Sequence, residues 1–107
     1  MDVNQYEIYW IDLDPTIGGE IKKTRPCIII SPNEINYYLK TILIAPLTST
    51  ISNIPFRIKL SVNRKLNMIA LDQIRAVDKS RLHNKLAEAD KETIKKLKQT
   101  IHEMLVA

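Results

Sequence analysis

The hydrophobic pattern of this 107-residue chain changes character once along its length. Up to residue 78 the apolar residues form short alternating or continuous runs of the kind that build β-strands. A helical repeat then follows Asp90, a suitable N-cap, and continues to residue 105. Many short strands followed by one amphipathic helix favour a mainly β (α+β) fold, in which a small antiparallel barrel or strongly bent sheet carries the C-terminal helix.

Proline positions mark the ends of several predicted elements. The segment 6–13 is rich in aromatic and β-branched residues and predicts a strand, and Pro26 at the start of 25–31 is compatible with a central strand there. Pro32 at a first helical position predicts a helical turn over 32–39. Further strands are predicted over 41–47 and 56–62, and one or two over 67–78.

Two segments carry more specific expectations. The alternation in 56–62 predicts that its apolar residues all face the core, namely Phe56, Ile58, Leu60 and Val62. The polar segment around His83, between the last predicted strand and the helix, is expected to be mobile.

The length and composition indicate a single globular domain spanning residues 1–107, with 45% hydrophobic and 26% charged residues and no low-complexity tract. A chain this short buries only part of its surface, which favours a partner subunit. No apolar run approaches the roughly 20 residues of a membrane span, and the N-terminus lacks the layout of a signal peptide. We therefore expect a cytoplasmic protein that does not associate with membranes.

The sequence offers no cluster of metal ligands. Its one cysteine, Cys27, lies beside three isoleucines and is expected to be a buried thiol rather than a reactive one. His83 and His102 are distant in the chain and fit neither a metal site nor a paired acid–base scheme. We expect no metal and no cofactor.

Positive charge is concentrated in the middle of the chain. Residues 1–20 hold five acidic residues and no Lys or Arg, whereas residues 21–65 hold eight basic residues against Glu34 alone. Such a segment suits a polyanionic partner. Basic side chains on strand edges and loops would also solvate the protein and discourage aggregation, so charge alone leaves both interpretations open.

Two predicted loops collect the polar groups. The segment 14–24 is long for a hairpin connection, and it carries Glu20 and two lysines directly ahead of Arg25. The second loop, 48–55, follows a buried strand and begins with Thr48. Loops of this length in compact domains are usually functional.

Three motifs stand in a specific order: IYWIDLDPTIGGEIKKTRPCIIISP (8–32), IAPLTS (44–49) and LDQIRAVDKSRL (71–82). In this order and spacing they resemble the MazF/PemK type of bacterial toxin, the endoribonucleases of toxin–antitoxin pairs. Two positions depart from some relatives, since Gly19 stands in place of a polar or imidazole side chain and Ala70 in place of an arginine.

The resemblance implies an SH3-like barrel with a C-terminal helix, a homodimer, and metal-independent, sequence-specific cleavage of single-stranded mRNA. By matched position it implies that Arg25 and Thr48 are catalytic and that Glu20 lies in the same pocket. The cleaved RNA would carry a 2',3'-cyclic phosphate and a 5'-hydroxyl. The resemblance also implies a cognate antitoxin, whose acidic tail would lie across the basic groove.

The chemistry of these residue types agrees with such a reaction. Attack by the 2'-hydroxyl needs a group to take its proton, a group to stabilise charge on the phosphate, and assistance to the departing 5'-oxygen. The Arg25 guanidinium can hold two phosphate oxygens and stays charged. The Thr48 hydroxyl can bond a phosphate oxygen, and Glu20 is the carboxylate in the loop able to act as base.

Each catalytic candidate also has a structural interpretation. Arg25 could shield a strand edge, and Thr48 could be an ordinary turn residue. Glu20 could pair locally with Lys22 or Lys23.

Residues beside the catalytic candidates would bind the RNA chain, whose unstacked bases are open to stacking and hydrogen bonding. Asp72 could accept hydrogen bonds from base edges or brace Arg75, and we favour bracing. The alternative for the basic residues is a solvated strand face. The predicted substrate-binding residues are Lys22, Lys23, Thr24, Ser49, Asn53, Arg57, Asp72 and Gln73. Further candidates are Tyr37 and Tyr38 for bases and Lys59, Arg64 and Lys65 for phosphates.

Two other functions fit the same fold. Gyrase-directed toxins rely on an aromatic C-terminal tail, whereas this chain ends in HEMLVA and has its one tryptophan at position 10. A non-catalytic RNA-binding module would use the same basic loops without cutting the RNA.

Overall fold

The computed structural model describes residues 2–106. Two short 3₁₀ turns, Leu71–Gln73 and Lys79–Arg81, interrupt the second half of the chain. In chain order the strands and helices are β1 (Glu7–Asp12), β2 (Thr24–Ile29), α1 (Asn33–Tyr38), β3 (Thr41–Thr48), β4 (Arg57–Val62), β5 (Lys65–Ala70), β6 (Arg75–Asp78), β7 (Leu82–Glu88) and α2 (Lys91–Leu105).

The strands form one curled antiparallel sheet in the order β4-β5-β3-β2-β1-β7, with β6 paired to β3. Along β3 the partner changes, because residues 41–44 pair with β6 and residues 47–48 pair with β5. The 3₁₀ turn Leu71–Gln73 lies between those two partners and interrupts the ladder. This exchange bends the sheet, and with the C-terminal helix it confirms the predicted fold class.

Apolar side chains pack on both faces of the sheet, in two separate clusters. Cys27 and Ile29 belong to the first cluster, whereas Ile28 between them belongs to the second. Residues two apart in a strand share a face, so Arg25 lies on the face of the first cluster and Pro26 on that of the second. The core thus fixes the side of the sheet from which each functional residue projects.

Helix α2 begins as predicted, since the Asp90 carboxylate accepts a hydrogen bond from the Thr93 backbone N–H at 2.8 Å. Leu97 is fully buried in the second cluster, and the helix contacts β4. Within residues 2–106, no helix combines the length and the apolar character that a membrane crossing requires.

Three local expectations were wrong. The segment around His83 is not a loose connection but strand β7, which pairs with β1 and is tied to it by an ion pair between Lys85 Nζ and Glu7 Oε2 at 2.7 Å. Phe56 does not face the core: it is 41% exposed and has a φ of 64°, which takes it out of the strand that follows. Pro32 is the N-cap of α1 rather than its first helical residue.

Candidate active site

Arg25 and Thr48 lie on the neighbouring strands β2 and β3, each two residues beyond the last pair of the ladder between them. Strands β2 and β3 pair through Cys27 with Pro46, and through two further pairs toward the interior. Continuing this register by two residues brings Arg25 opposite Thr48, and both project on the same face as Cys27 and Pro46. The two motifs that carry these residues therefore meet at one end of the β2–β3 ladder.

Both side chains keep most of their hydrogen-bonding groups available. Arg25 Nε donates to the Lys22 carbonyl at 3.3 Å, and no carboxylate of residues 2–106 forms an ion pair with the guanidinium. Thr48 Oγ1 accepts a hydrogen bond from the Thr50 N–H at 3.2 Å, which leaves its own proton free to be donated. An anion at this point would meet a half-buried guanidinium and a hydroxyl.

A cleft of about 400 Å³, which we name the Arg25 cleft, opens at this end of the sheet; Arg25 lines it, whereas Thr48 is not among its lining residues. Three basic residues line it, and none of its lining residues is acidic. The cleft is therefore electrostatically suited to phosphate. Its lining residues are Trp10, Lys23, Thr24, Arg25, Pro26, Leu47, Ser49, Val62, Asn63, Lys65, Asn67 and Leu86.

The fully buried Cys27 thiol borders this basic region from inside the sheet. Burial raises its pKa to about 12, while the positive charges of Arg75 and Arg25 act in the opposite direction. The buried thiol is a structural neighbour of the site and confirms the expected role of Cys27 as a small hydrophobe.

Glu20 lies in a second, smaller cleft of about 210 Å³, together with Asp72, Gln73 and Arg75. Its Oε1 accepts a hydrogen bond from the Ile17 N–H at 2.5 Å, so the carboxylate closes a turn of its own loop. The structure does not bring Glu20 into the Arg25 cleft. Neither does it pair Glu20 with the neighbouring lysines, because no ion pair of residues 2–106 involves this carboxylate.

The loop between β1 and β2 is held at both ends by the segment that follows β5. Gln73 Oε1 accepts a hydrogen bond from the Ile21 N–H at 2.8 Å. At the start of the loop, Arg75 Nη1 donates to the Leu13 carbonyl at 3.1 Å, and Arg81 Nη1 donates to the Asp12 carbonyl at 3.2 Å. Gln73, predicted to bind RNA, is thus engaged with the loop itself.

Asp72 braces an arginine, but the partner is Arg57 rather than Arg75. The Arg57 guanidinium donates through Nε to Asp72 Oδ1 at 2.9 Å and through Nη2 to Oδ2 at 3.0 Å. The expected pairing with Arg75 was wrong because the 3₁₀ turn Leu71–Gln73 orients Asp72 toward β4, where Arg57 begins the strand. The hydrogen bonds from Arg57 hold the pKa of Asp72 below its usual value, although partial burial opposes them.

The remaining candidates are distributed over the surface. Lys23, Thr24 and Ser49 line the Arg25 cleft, and Lys22 is exposed. Asn53, Arg57 and Lys59 line a separate cleft of about 480 Å³ between the 49–56 loop and α2.

Sequence reasoning missed Trp10 as a member of the site, although it lines the Arg25 cleft and is 39% exposed. The available signal was an aromatic residue at a position that alternates with the buried Tyr9 and Ile11. Within residues 2–106, no group of three or more His, Cys, Asp or Glu side chains is arranged to hold a metal ion.

Comparison with known proteins gives matches that cover nearly the whole chain. The family model of PemK-like, MazF-like toxins of type II toxin–antitoxin systems matches residues 4–105. The chain is 29% identical over 107 residues to the endoribonuclease EndoA of Bacillus subtilis, covering 94% of this chain and 92% of that protein. It is 32% identical over 101 residues to the endoribonuclease MazF of Staphylococcus saprophyticus, covering 89% of this chain and 84% of that one.

Solved structures show the same fold. The crystal structure of MazF from Deinococcus radiodurans superposes with a TM-score of 0.87 at 23% identity, covering 100% of this chain and 99% of that chain. An endoribonuclease from a mycobacterial species, solved in complex with its cognate antitoxin, gives a TM-score of 0.81 at 21% identity, with 96% and 94% covered.

Proposed function

This chain belongs to the PemK-like, MazF-like toxins of type II toxin–antitoxin systems, and from that membership we propose that it is an endoribonuclease that cleaves single-stranded mRNA at selected sequences. Two relatives that align with this chain over most of their own length are named endoribonucleases, which supports endoribonuclease activity for this chain. The observation that supports the proposal most is the pairing of β2 with β3 up to Cys27 and Pro46, because Arg25 and Thr48 each lie two residues beyond this pair and Arg25 lines a basic cleft. The whole chain, residues 1–107, acts as one toxin domain in the cytoplasm, where mRNA is translated.

The reaction is an internal transesterification that needs no metal. The ribose 2'-oxygen attacks the adjacent phosphorus, the bond from phosphorus to the 5'-oxygen breaks, and the 2'-hydroxyl proton passes to a base. The 5'-oxygen takes up a proton as it departs. The products are therefore a 2',3'-cyclic phosphate on one fragment and a 5'-hydroxyl on the other.

Arg25 stabilises the negative charge that develops on the phosphate. Its fork of N–H groups offers several donors besides the Nε bonded to Lys22, and a guanidinium stays ionised at any relevant pH. Thr48 donates its hydroxyl proton to a phosphate oxygen. Charge stabilisation of this kind is typically the largest contribution to catalysis, since the donors are already in place before the charge develops.

Glu20 serves as the base in this scheme. To reach a 2'-hydroxyl near Arg25, its carboxylate must leave the Ile17 N–H, because Glu20 and Arg25 line separate clefts in the free protein. RNA that enters the site therefore has to reorganise the loop locally. Lys22, Lys23, Thr24, Ser49, Asn53, Arg57 and Asp72 complete the proposed contacts to RNA, while Gln73 positions the loop through its hydrogen bond from the Ile21 N–H.

The protein acts as a homodimer and is inhibited by a cognate antitoxin. Support for the antitoxin comes from the family, whose members are toxins of toxin–antitoxin pairs, and from the structural neighbour that was solved with one. An acidic antitoxin segment complements the Arg25 cleft, which is lined by cations and by no carboxylate.

The test is incubation of the purified protein with an mRNA in the presence of EDTA, followed by mapping of the cut sites and end groups. We expect cuts at a restricted set of sequences that resist the chelator and leave cyclic phosphate ends. The same RNA with hydrogen in place of the 2'-hydroxyl at the cut site should bind but remain intact. Retention of RNA without any cutting would instead make the chain a binding module.

A further inference from the structure

Trp10 and Pro26 form the outermost apolar pair of the Arg25 cleft. They are cross-strand partners in the β1–β2 ladder, two residues beyond the paired Ile8 and Ile28. Since residues two apart share a face, Trp10 and Pro26 continue the face on which Ile8 and Ile28 pack into the second core cluster. Ile8 and Ile28 are fully buried, whereas the Trp10 side chain is 39% exposed. The Trp10 indole therefore lies at the edge of the second core cluster and is partly open to solvent.

The opposite wall of the cleft is the end of the β4–β5 hairpin. Val62 pairs with Lys65, so Asn63 and Arg64 alone form the turn. Their φ angles of 50° and 67° are both positive, as a type I′ hairpin turn requires. This tight turn holds Asn63 and Lys65 at the rim, facing the wall that carries Trp10.

The groups around the indole are those that a nucleotide needs. Lys23, Arg25 and Lys65 supply positive charge without a competing carboxylate among the lining residues. Asn67 lines the cleft, and its amide nitrogen donates to the Lys65 carbonyl at 3.1 Å, which leaves its amide oxygen available as an acceptor. The volume of about 400 Å³ lies within the roughly 300–1,000 Å³ of small-ligand pockets.

We infer that the Arg25 cleft is a subsite for one unpaired nucleobase of the RNA, stacked on Trp10 next to the phosphate bound by Arg25. The inference rests on the proposed ribonuclease function and adds a base-binding residue to it. Arg25 lines the edge of the same cleft as Trp10 and Pro26, so the base and the phosphate would belong to the same or adjacent nucleotides. Stacking on an aromatic ring tolerates every base, while Asn63 and Asn67 can select among base edges.

The single tryptophan of the chain makes this subsite directly observable by fluorescence. The probe is a single-stranded DNA of about ten nucleotides, a length in the range that single-strand sites cover, and DNA lacks the 2'-hydroxyl needed for cutting. We expect this probe to quench Trp10 at saturation. An abasic oligonucleotide of the same length and charge should bind more weakly and leave the fluorescence unchanged, because it has no base to stack.

Substitutions at Trp10 separate stacking from apolar contact. Trp10→Leu, which keeps an apolar side chain but removes the ring, should raise KM for RNA about 5- to 100-fold with kcat nearly unchanged. Trp10→Phe keeps a ring and should remain within a few-fold of the wild type. The matched control is Ile35→Ala on α1, a residue with the same 39% exposure that lines none of the three clefts described above.

The possible outcomes distinguish the subsite from the activity. If the wild type cuts RNA but Trp10→Leu has an unchanged KM, or if the abasic probe quenches as strongly as DNA, the subsite is refuted and the activity stands. If the wild type does not cut RNA, the proposed function fails, and quenching by DNA but not by the abasic probe still supports the subsite. Quenching by an acidic peptide of glutamate and leucine, with none by DNA, would assign the cleft to a protein partner and overturn the inference.

Discussion

The side-chain oxygen of Gln73 accepts a hydrogen bond from the Ile21 backbone N–H at 2.8 Å across 52 positions of the chain. This bond joins the 3₁₀ turn Leu71–Gln73 to the loop that carries Lys22 and Lys23, two of the proposed RNA-binding residues. Arg75 and Arg81 donate hydrogen bonds to the carbonyls at the start of the same loop. Both ends of the loop between β1 and β2 are therefore anchored by hydrogen bonds, and Gln73 is a residue that positions this loop.

Replacing Gln73 by Leu removes the acceptor for the Ile21 N–H and should destabilise the protein by about 1 kcal/mol. The loop loses one anchor, so the Ile21 amide should exchange faster and kcat for RNA should fall. Gln73→Glu keeps an acceptor oxygen, so the exchange rate of the Ile21 amide and kcat should both stay close to the wild-type values. Hydrogen exchange at Ile21 and cleavage kinetics measure the two effects. A Gln73→Glu variant with a protected Ile21 amide and poor cleavage would show that Gln73 contacts the RNA itself.

Arg25→Ala should lower the rate of RNA cleavage by on the order of 10²-fold or more, because it removes the positive charge that stabilises the negative charge developing on the phosphate. Arg25→Lys keeps the positive charge but lacks the paired N–H donors of a guanidinium, so its cleavage rate should lie between those of the wild type and Arg25→Ala. The melting temperature should change little, since Arg25 is only half-buried and forms no ion pair within residues 2–106. Lys40→Ala, which removes one exposed positive charge outside the clefts, is the matched control. Near-normal turnover by Arg25→Ala would exclude Arg25 from the mechanism.

The buried strands could be predicted from the sequence, because two-sided burial or regular alternation leaves a visible apolar pattern. Strand β7 could not, since His83, Asn84 and Lys85 are exposed and the strand is held by its ladder to β1 and by the ion pair between Lys85 and Glu7. Backbone pairing and a single ion pair have no periodic signature in sequence.

The site was predictable to a similar extent. The motifs single out Arg25 and Thr48 as candidates, but the partner of Asp72 depends on the direction of one 3₁₀ turn, and the observed partner Arg57 is 15 positions away in the chain. An aromatic residue at position 10 predicts a strand, because aromatic residues favour strands whether or not they face a cleft. Which face an aromatic residue occupies becomes clear only when the register of the sheet is known.

Cys27 should not react with thiol reagents in the folded protein at pH 8, since it is fully buried and burial raises its pKa to about 12. In denaturant the thiol titrates near its ordinary value of 9.0 and should react readily. The unfolded state therefore loses the proton first, and this group's contribution to stability should decline as the pH rises from about 9 toward 12. Labelling kinetics with and without denaturant measure the difference. Rapid labelling of the native protein at one equivalent would contradict the buried position.

The ion pair between Arg57 and Asp72 should make stability depend on pH in the acid range. Hydrogen bonds from Arg57 lower the pKa of Asp72 below its ordinary value of 3.8, so the stabilisation is complete above that value and is lost as the pH falls through the lower, folded-state pKa. Asp72→Asn should cost at most about 1 kcal/mol at pH 7, because the carboxylate side chain is 37% exposed and solvent screens the pair. The difference between wild type and variant should vanish at acid pH. A double-mutant cycle with Arg57→Gln, followed by denaturant unfolding across that range, isolates the coupling. Equal and additive losses at all pH values would show that the two side chains do not interact in solution.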